Sequence, residues 1–126
     1  MSNIIITNNQ YVYEKYKDTM DIIYNEKFSY MEILSFVRDK IHEGHKLLTH
    51  PLSGSIKPNE TPYKTILISK DKKELDMEGL KIIEESILTA RKFQEDKITP
   101  NWTEKVLDDF RVIDLSLIEN VIKKLG

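Results

Sequence analysis

The stretch GHKLLTHPLSGSIKPNETPYKTILIS, Gly44 to Ser69, decides how this chain folds. Its last five residues, Thr65 to Ser69, are a mostly β-branched apolar run and read as a buried strand. Ahead of that strand, 20 residues separate Gly44 from Thr65. Connections in compact domains usually take about 4–6 residues, and much longer ones tend to be functional or disordered. This one does not read as disordered. Leu47, Leu48, Leu52, Ile56 and Tyr63 can anchor it, and Pro51, Pro58 and Pro62 stiffen it by fixing φ.

Working outward, Ile4 to Thr7 is a first short strand ended by Asn8-Asn9, and either asparagine can cap a helix over Gln10–Lys17. Asp21–Tyr24 reads as a second strand. Ser29 and Glu32 have capping-box spacing ahead of a helix whose apolar face is Tyr30, Ile33, Leu34, Val37 and Ile41, with Gly44 as its C′ residue. After Ser69, Asp76 predicts the N-cap of an amphipathic helix lined by Leu80, Ile83, Ile87 and Ala90. Thr103 and Asp114 then predict caps of two terminal helices.

This alternation predicts a small layered α/β domain spanning residues 1–126. It would hold three to four short, mostly parallel strands flanked by helices, with two C-terminal helices. One geometric choice stays open. In a parallel unit the loop after a helix lies at the amino ends of the strands, whereas ligands in open α/β sheets bind at the carboxyl ends, here beside Thr7, Asn8 and Asn9. The two regions meet if Lys46–Thr49 climbs the sheet as an extra strand and Thr65–Ser69 descends antiparallel, or else the loop wraps an edge. The first route is preferred.

Composition limits function. The net charge of -2 gives no broad basic field, so nucleic acid is not an expected partner. No apolar run approaches the roughly 20 residues of a membrane span, and the N-terminus lacks a signal-peptide pattern, so a cytoplasmic location is expected with no membrane partner. The absence of cysteine excludes thiol chemistry carried by this chain. A homodimer is the base-rate expectation for self-association and nothing more.

The middle segment has the chemistry of an anion receptor. Lys46, Lys57 and Lys64 against Glu60 give it +2, and Thr49, Ser53, Ser55 and Thr61 add hydroxyls. Ser53-Gly54-Ser55-Ile56-Lys57 has the composition of a backbone nest with a lysine, but lacks Walker A spacing. His42, His45 and His50, all three histidines, could offer imidazoles to a metal, yet no nearby Cys or Asp completes a set, so no metal or cofactor is expected. Ser53 or Ser55 beside a histidine lacks a nucleophile-elbow motif. Asn59 and Thr61 suit turns, Glu60 suits a pairing with Lys57 or Lys64, and Tyr63 is the ring best placed to face a ligand.

The segments IITNN (Ile5–Asn9) and VRDKIHEGHKLLTHPLSGSIKPNETPYKTILIS (Val37–Ser69), with the overall length, resemble the GrdX family, the small X protein of glycine reductase gene clusters. The resemblance implies a setting beside glycine, sarcosine or betaine reductase in anaerobic amino-acid fermentation, with the reductase subunits as partners. It carries no catalytic residue with it. The expectation is an accessory or regulatory protein that binds a small anionic metabolite or a reductase subunit. The ligand set is Thr7, Asn8, Asn9, His45, Thr49, His50, Ser53, Gly54, Ser55, Lys57, Asn59, Glu60, Thr61, Tyr63 and Lys64. The alternative is a small enzyme with His45 or His50 as acid–base and Lys57 and Lys64 as anion clamp.

Overall fold

A computed structural model describes residues 3–52 and 56–125. The elements run β1 (Asn3–Thr7), α1 (Gln10–Tyr16), β2 (Asp21–Tyr24), α2 (Tyr30–His42), β3 (Thr65–Ser69), α3 (Met77–Asp96) and α4 (Glu104–Leu125). The local signals explain most of them. Asn9 caps α1 by accepting from the Tyr11 N–H, and Ser29 with Glu32 completes a reciprocal capping box at α2. Asp76 caps α3 through the Gly79 N–H.

The sheet has the order β2-β1-β3, with β2 parallel and β3 antiparallel to β1. The expectation of a mostly parallel sheet is therefore corrected, and the climb of Lys46–Thr49 is the reason. The Ser69 N–H donates to the Lys46 carbonyl at 2.9 Å, and the Leu48 N–H donates to the Leu67 carbonyl at 3.0 Å. Leu47 forms a single antiparallel bridge with Ile68. Having climbed beside β3, the chain can enter β3 only by descending. The extra strand itself shrinks to that one bridge, because the Thr49 hydroxyl replaces a backbone group in accepting the Leu67 N–H.

Pleat alternation divides the core. Ile6, Ile66 and Ile68 face α2 and α3, while Ile5 and Leu67 face α1 and α4. Central β1 is covered on both faces, which is why Ile5 and Ile6 are both fully buried and why its sequence is a continuous apolar run. Burying each such side chain is worth about 1.5–3 kcal/mol.

The C-terminal region corrects a second expectation. Thr103 does cap α4, its carbonyl accepting from the Leu107 N–H at 3.0 Å. Asp114 caps nothing, because α4 runs unbroken through it and turns it inward. No glycine or proline lies between Thr103 and Leu125 to divide the helix. Two helices, α3 and α4, thus follow β3 where the cap pattern called for three.

Two glycines permit the turn from α2 into the climb. Gly44 ends α2 at φ +107°. A Cβ there would meet the Lys73 carbonyl oxygen at 2.6 Å. At Gly79 a Cβ would strike the Asp76 carboxylate, which uses its second oxygen to accept the Leu47 N–H at 3.0 Å. Gly44→Ala is expected to cost about 1–3 kcal/mol, from left-handed backbone strain and the clash together. Urea unfolding of the variant against the native chain measures it, and an unchanged midpoint would mean the turn relaxes freely.

Candidate functional site

The descent of β3 brings its first residues beside the carboxyl end of β1. Thr7 and Thr65 are register partners, and both point to the α1/α4 face. Their hydroxyl oxygens are 2.7 Å apart. The Thr65 hydroxyl donates to Asp114 Oδ2 at 2.6 Å, so the Thr7 hydroxyl must donate to Thr65. Thr7 Oγ1 in turn accepts the Asn9 N–H at 3.0 Å. Asn9 Nδ2 reaches Asp114 Oδ2 at 3.0 Å and the Arg111 carbonyl at 2.9 Å. The donors point toward one buried carboxylate. Burial pushes the Asp114 carboxyl above its ordinary range, and the bonds from Thr65 and Asn9 and the charge of Lys64 pull the other way without cancelling that rise.

The other face of the same strand ends belongs to Asn8 and Lys64. Asn8 is 3% exposed and fully engaged: its side chain donates to the Phe28 and Pro62 carbonyls, each at 2.9 Å, and accepts the Lys64 N–H at 2.9 Å. Asn8 thereby ties the entry of α2 to the end of the long loop. Lys64 is 6% exposed, and its Nζ lies 5.6 Å from the centroid of the Tyr30 ring. Among the described residues this ammonium makes no ion pair and no hydrogen bond. Desolvation lowers its pKa, against a smaller opposing pull from Asp114. Desolvation likewise raises the Tyr30 phenol, and Asp114 adds to that rise.

A cleft of about 690 Å³ opens at this end of the sheet. Asn8, Phe28, Tyr30, Met31, Tyr63 and Leu107 are among its walls. The clefts at the opposite end are smaller, about 270 and 440 Å³. The first turn of α2 lines the large cleft through Ser29, Tyr30 and Met31, so its positive dipole end faces it. Arg111 closes the neighbouring wall. Its guanidinium is 5.4 Å from the centroids of both the Tyr11 and Tyr63 rings. It donates to the Tyr63 hydroxyl at 2.6 Å and pairs with Glu104. Burial works against that charge, but Glu104, Tyr63 and Tyr11 hold it fully protonated. Arg111 therefore fastens the loop to α4 and has little capacity left for a ligand.

The other candidate residues of the loop divide between two ends. His45 is buried at the amino end of the sheet, its Nδ1 donating to the Ser69 carbonyl at 2.8 Å. Thr49 is spent on the Leu67 N–H. His50 is exposed and accepts the Leu52 N–H through Nδ1 at 3.1 Å. Ser53, Gly54 and Ser55 lie outside the described residues. Lys57 is exposed, and Glu60 accepts its backbone N–H at 3.0 Å, so the pairing is structural but made to the main chain. Asn59 donates to the Phe93 and Lys97 carbonyls and finishes α3. Thr61 accepts the Tyr63 N–H within the turn. Thr7, Asn8, Asn9, Tyr63 and Lys64 are brought together, and His45 and His50 are not among them. Among the described residues, no group of three His, Asp or Glu side chains could hold a metal ion.

Sequence reasoning missed Tyr30, Thr65, Arg111 and Asp114. Tyr30 and Thr65 were legible only as core and strand. Asp114 carried a usable signal: it sits four residues before Ile118 on the inner stripe of a helix, where a carboxylate needs partners.

The model of one protein family, the GrdX-like proteins, matches residues 4–123. No curated protein and no solved structure matches the chain.

Two outcomes are expected from this geometry. Asp114→Ala strands the Thr65 and Asn9 donors, at about 1–3 kcal/mol for each. Chemical denaturation should show a loss of that size, and a loss below 1 kcal/mol would contradict the network. Lys64→Met should behave in the opposite way, because it removes a buried charge without a direct partner. With its folded pKa lowered, Lys64 binds its proton less well folded than unfolded, so its contribution to stability rises with pH up to the ordinary lysine value. Lys64→Met should therefore raise Tm at pH 7. Its advantage should shrink as pH climbs through the depressed value toward about 10.4.

Proposed function

This chain belongs to the GrdX-like protein family, and from that premise we propose that it is a cytoplasmic accessory protein of the glycine reductase system. Family membership suggests association with glycine reductase gene clusters. Its action in this reading is binding. A small metabolite with a carboxylate or phosphate enters the cleft at the carboxyl end of the sheet and supplies the counter-charge that Lys64 lacks. The single observation that carries the reading is Lys64 itself: a lysine 6% exposed, its ammonium unpaired among the described residues, whose neighbours Asn8, Tyr30 and Tyr63 line the largest cleft described. An unpaired buried ammonium is costly to stability, so a fold that keeps one has a use for it.

Of the long loop, the returning part, Asn59 to Lys64, supports this role together with Thr7, Asn8 and Asn9. The climbing part serves the sheet. Glycine, sarcosine, betaine and acetyl phosphate all offer a suitable anionic group, and the reductase subunits are the protein partners to which a liganded state would report. The enzymatic alternative gains no support. Of its acid–base candidates, His45 is bonded at the far end of β3 from Lys64, across roughly 16 Å of strand, and His50 is exposed and accepts the Leu52 N–H.

Titration calorimetry of these four compounds, paired with pull-down of the reductase subunits, tests the proposal. A saturable heat is expected for at least one compound, weakened about tenfold or more in Lys64→Met because a charge-assisted hydrogen bond is lost. No heat with any compound and no captured subunit would refute it.

A further inference from the structure

We propose that two copies of this chain join through β2, each β2 running antiparallel to the other across a two-fold axis at Ile23, so that the two sheets become one.

The sheet order leaves β2 and β3 outermost. The climb of Lys46–Thr49 covers β3. Nothing among the described residues covers β2, and its outward backbone groups can be named. The Asn25 N–H donates to the Thr7 carbonyl at 3.1 Å, and Thr7 is the register partner of Tyr24. Backbone direction alternates along a strand. Asp21 and Ile23 therefore also turn their groups to β1, while Ile22 and Tyr24 turn N–H and C=O outward. Among the described residues these outward groups make no hydrogen bond. β2 also lacks the devices that blunt an edge. Asp21–Tyr24 holds no lysine and no proline, and its charged residue, Asp21, is paired with Lys70 at 2.8 Å.

The occupant is a second copy because this edge is complementary to itself. In an antiparallel pair a two-fold axis passes only between a residue and its own copy. Centring on Asp21 or Ile22 would call on the Met20 N–H, which already donates to the Tyr16 carbonyl at 2.9 Å. Centring on Tyr24 would draw in Glu26, past the turn in which Asn25 Oδ1 accepts the Lys27 N–H at 2.9 Å. Centring on Ile23 lets Ile22 of each copy exchange both its bonds with the partner's Tyr24, which leaves no outward group of the strand unused.

Charge fits the same register. At the carboxyl end of β2, Glu14, Glu26 and Lys27 line a groove of about 610 Å³ with Tyr13 and Tyr24, whose rings stack 4.6 Å apart. At the amino end, exposed Lys17 closes α1. The two-fold axis sets the Lys17 end of each copy against the partner's glutamates. Asp18 likewise lies toward the partner's Lys27, and Asp21 faces the partner's Asn25 rather than another acid. Glu26 also lines the large cleft, so the partner's Lys17 offsets the acid on that wall. The dimer does not depend on the cleft having a ligand.

Sedimentation of the native chain tests the proposal. A species of twice 14.8 kDa is expected. Lys17→Glu and Glu26→Lys, both at exposed positions, should each weaken association about tenfold, and the double swap should restore it. Because the chain has no cysteine, oxidation of single-cysteine variants reads the register. Ile23→Cys should form a disulfide-linked dimer, since residues opposed in a non-hydrogen-bonded pair have Cα atoms about 4.5 Å apart. Ile22→Cys should not, because it faces the partner's Tyr24. A chain that stays monomeric up to millimolar concentration overturns the proposal. So does a dimer that ignores the charge swaps, or one that links through Ile22→Cys as readily as through Ile23→Cys.

Discussion

The antiparallel pairing of β3 with β1 is the constraint on which the rest depends. It sets Thr65 opposite Thr7 and places Lys64 and Asn8 within one hydrogen bond of each other. A parallel β3 would have put Lys64 at the amino end of the sheet, away from Asn8. The pairing is secured by a few contacts upstream: the bonds of Lys46, Leu48 and Thr49 to β3, and Asp76, whose carboxylate holds Leu47 with one oxygen and the first turn of α3 with the other. The long loop is therefore two structures in series. One part is a rail along the sheet edge, and the other is a wall of the cleft.

At the cleft end, polarity is sorted by the pleat. The side facing α4 holds a closed network in which Thr7, Thr65 and Asn9 serve Asp114. The side facing α2 holds Asn8, fully occupied, and Lys64, whose head has no partner among the described residues. These opposite buried charges influence one another through the protein without touching, which favours the charged form of both while desolvation opposes it. Such an arrangement suits recognition better than stability. The acid is locked by its partners, and the base has no direct partner among the described residues.

The sequence made the local features legible and left the non-local ones hidden. Ser29–Glu32, the Asn8-Asn9 pair and Asp76 were readable as caps because a cap involves residues only a few positions apart, and the structure assigns the α1 cap to Asn9. Strand positions were readable from β-branched runs. The direction of β3 followed only from the preferred climb of Lys46–Thr49, some 20 residues earlier in the chain, which conflicted with the mostly parallel sheet that the alternation of elements predicts. Asp114 misled for a specific reason. Ile113-Asp114 followed by Ile118 has the spacing of a staple and a cap, and the same spacing describes a polar residue on the inner stripe of a continuous helix. Only the arrival of Thr65 and Asn9 from distant elements separates the two. For the candidate site, the hydroxyl-rich strand ends, Tyr63 and Lys64 were visible in the sequence. The histidines drew notice by clustering along the chain, yet the fold sends them to the far end and the surface.

The bond from Asn9 to Asp114 also bears on how the chain is made. It spans 105 residues, nearly the whole polypeptide. During synthesis from the N-terminus, Ile5 and Leu67 would wait with one face uncovered until the last helix emerged to shield them. The final helix thus acts as a keystone, and a ribosome that stalls late would release a half-roofed, adhesive intermediate.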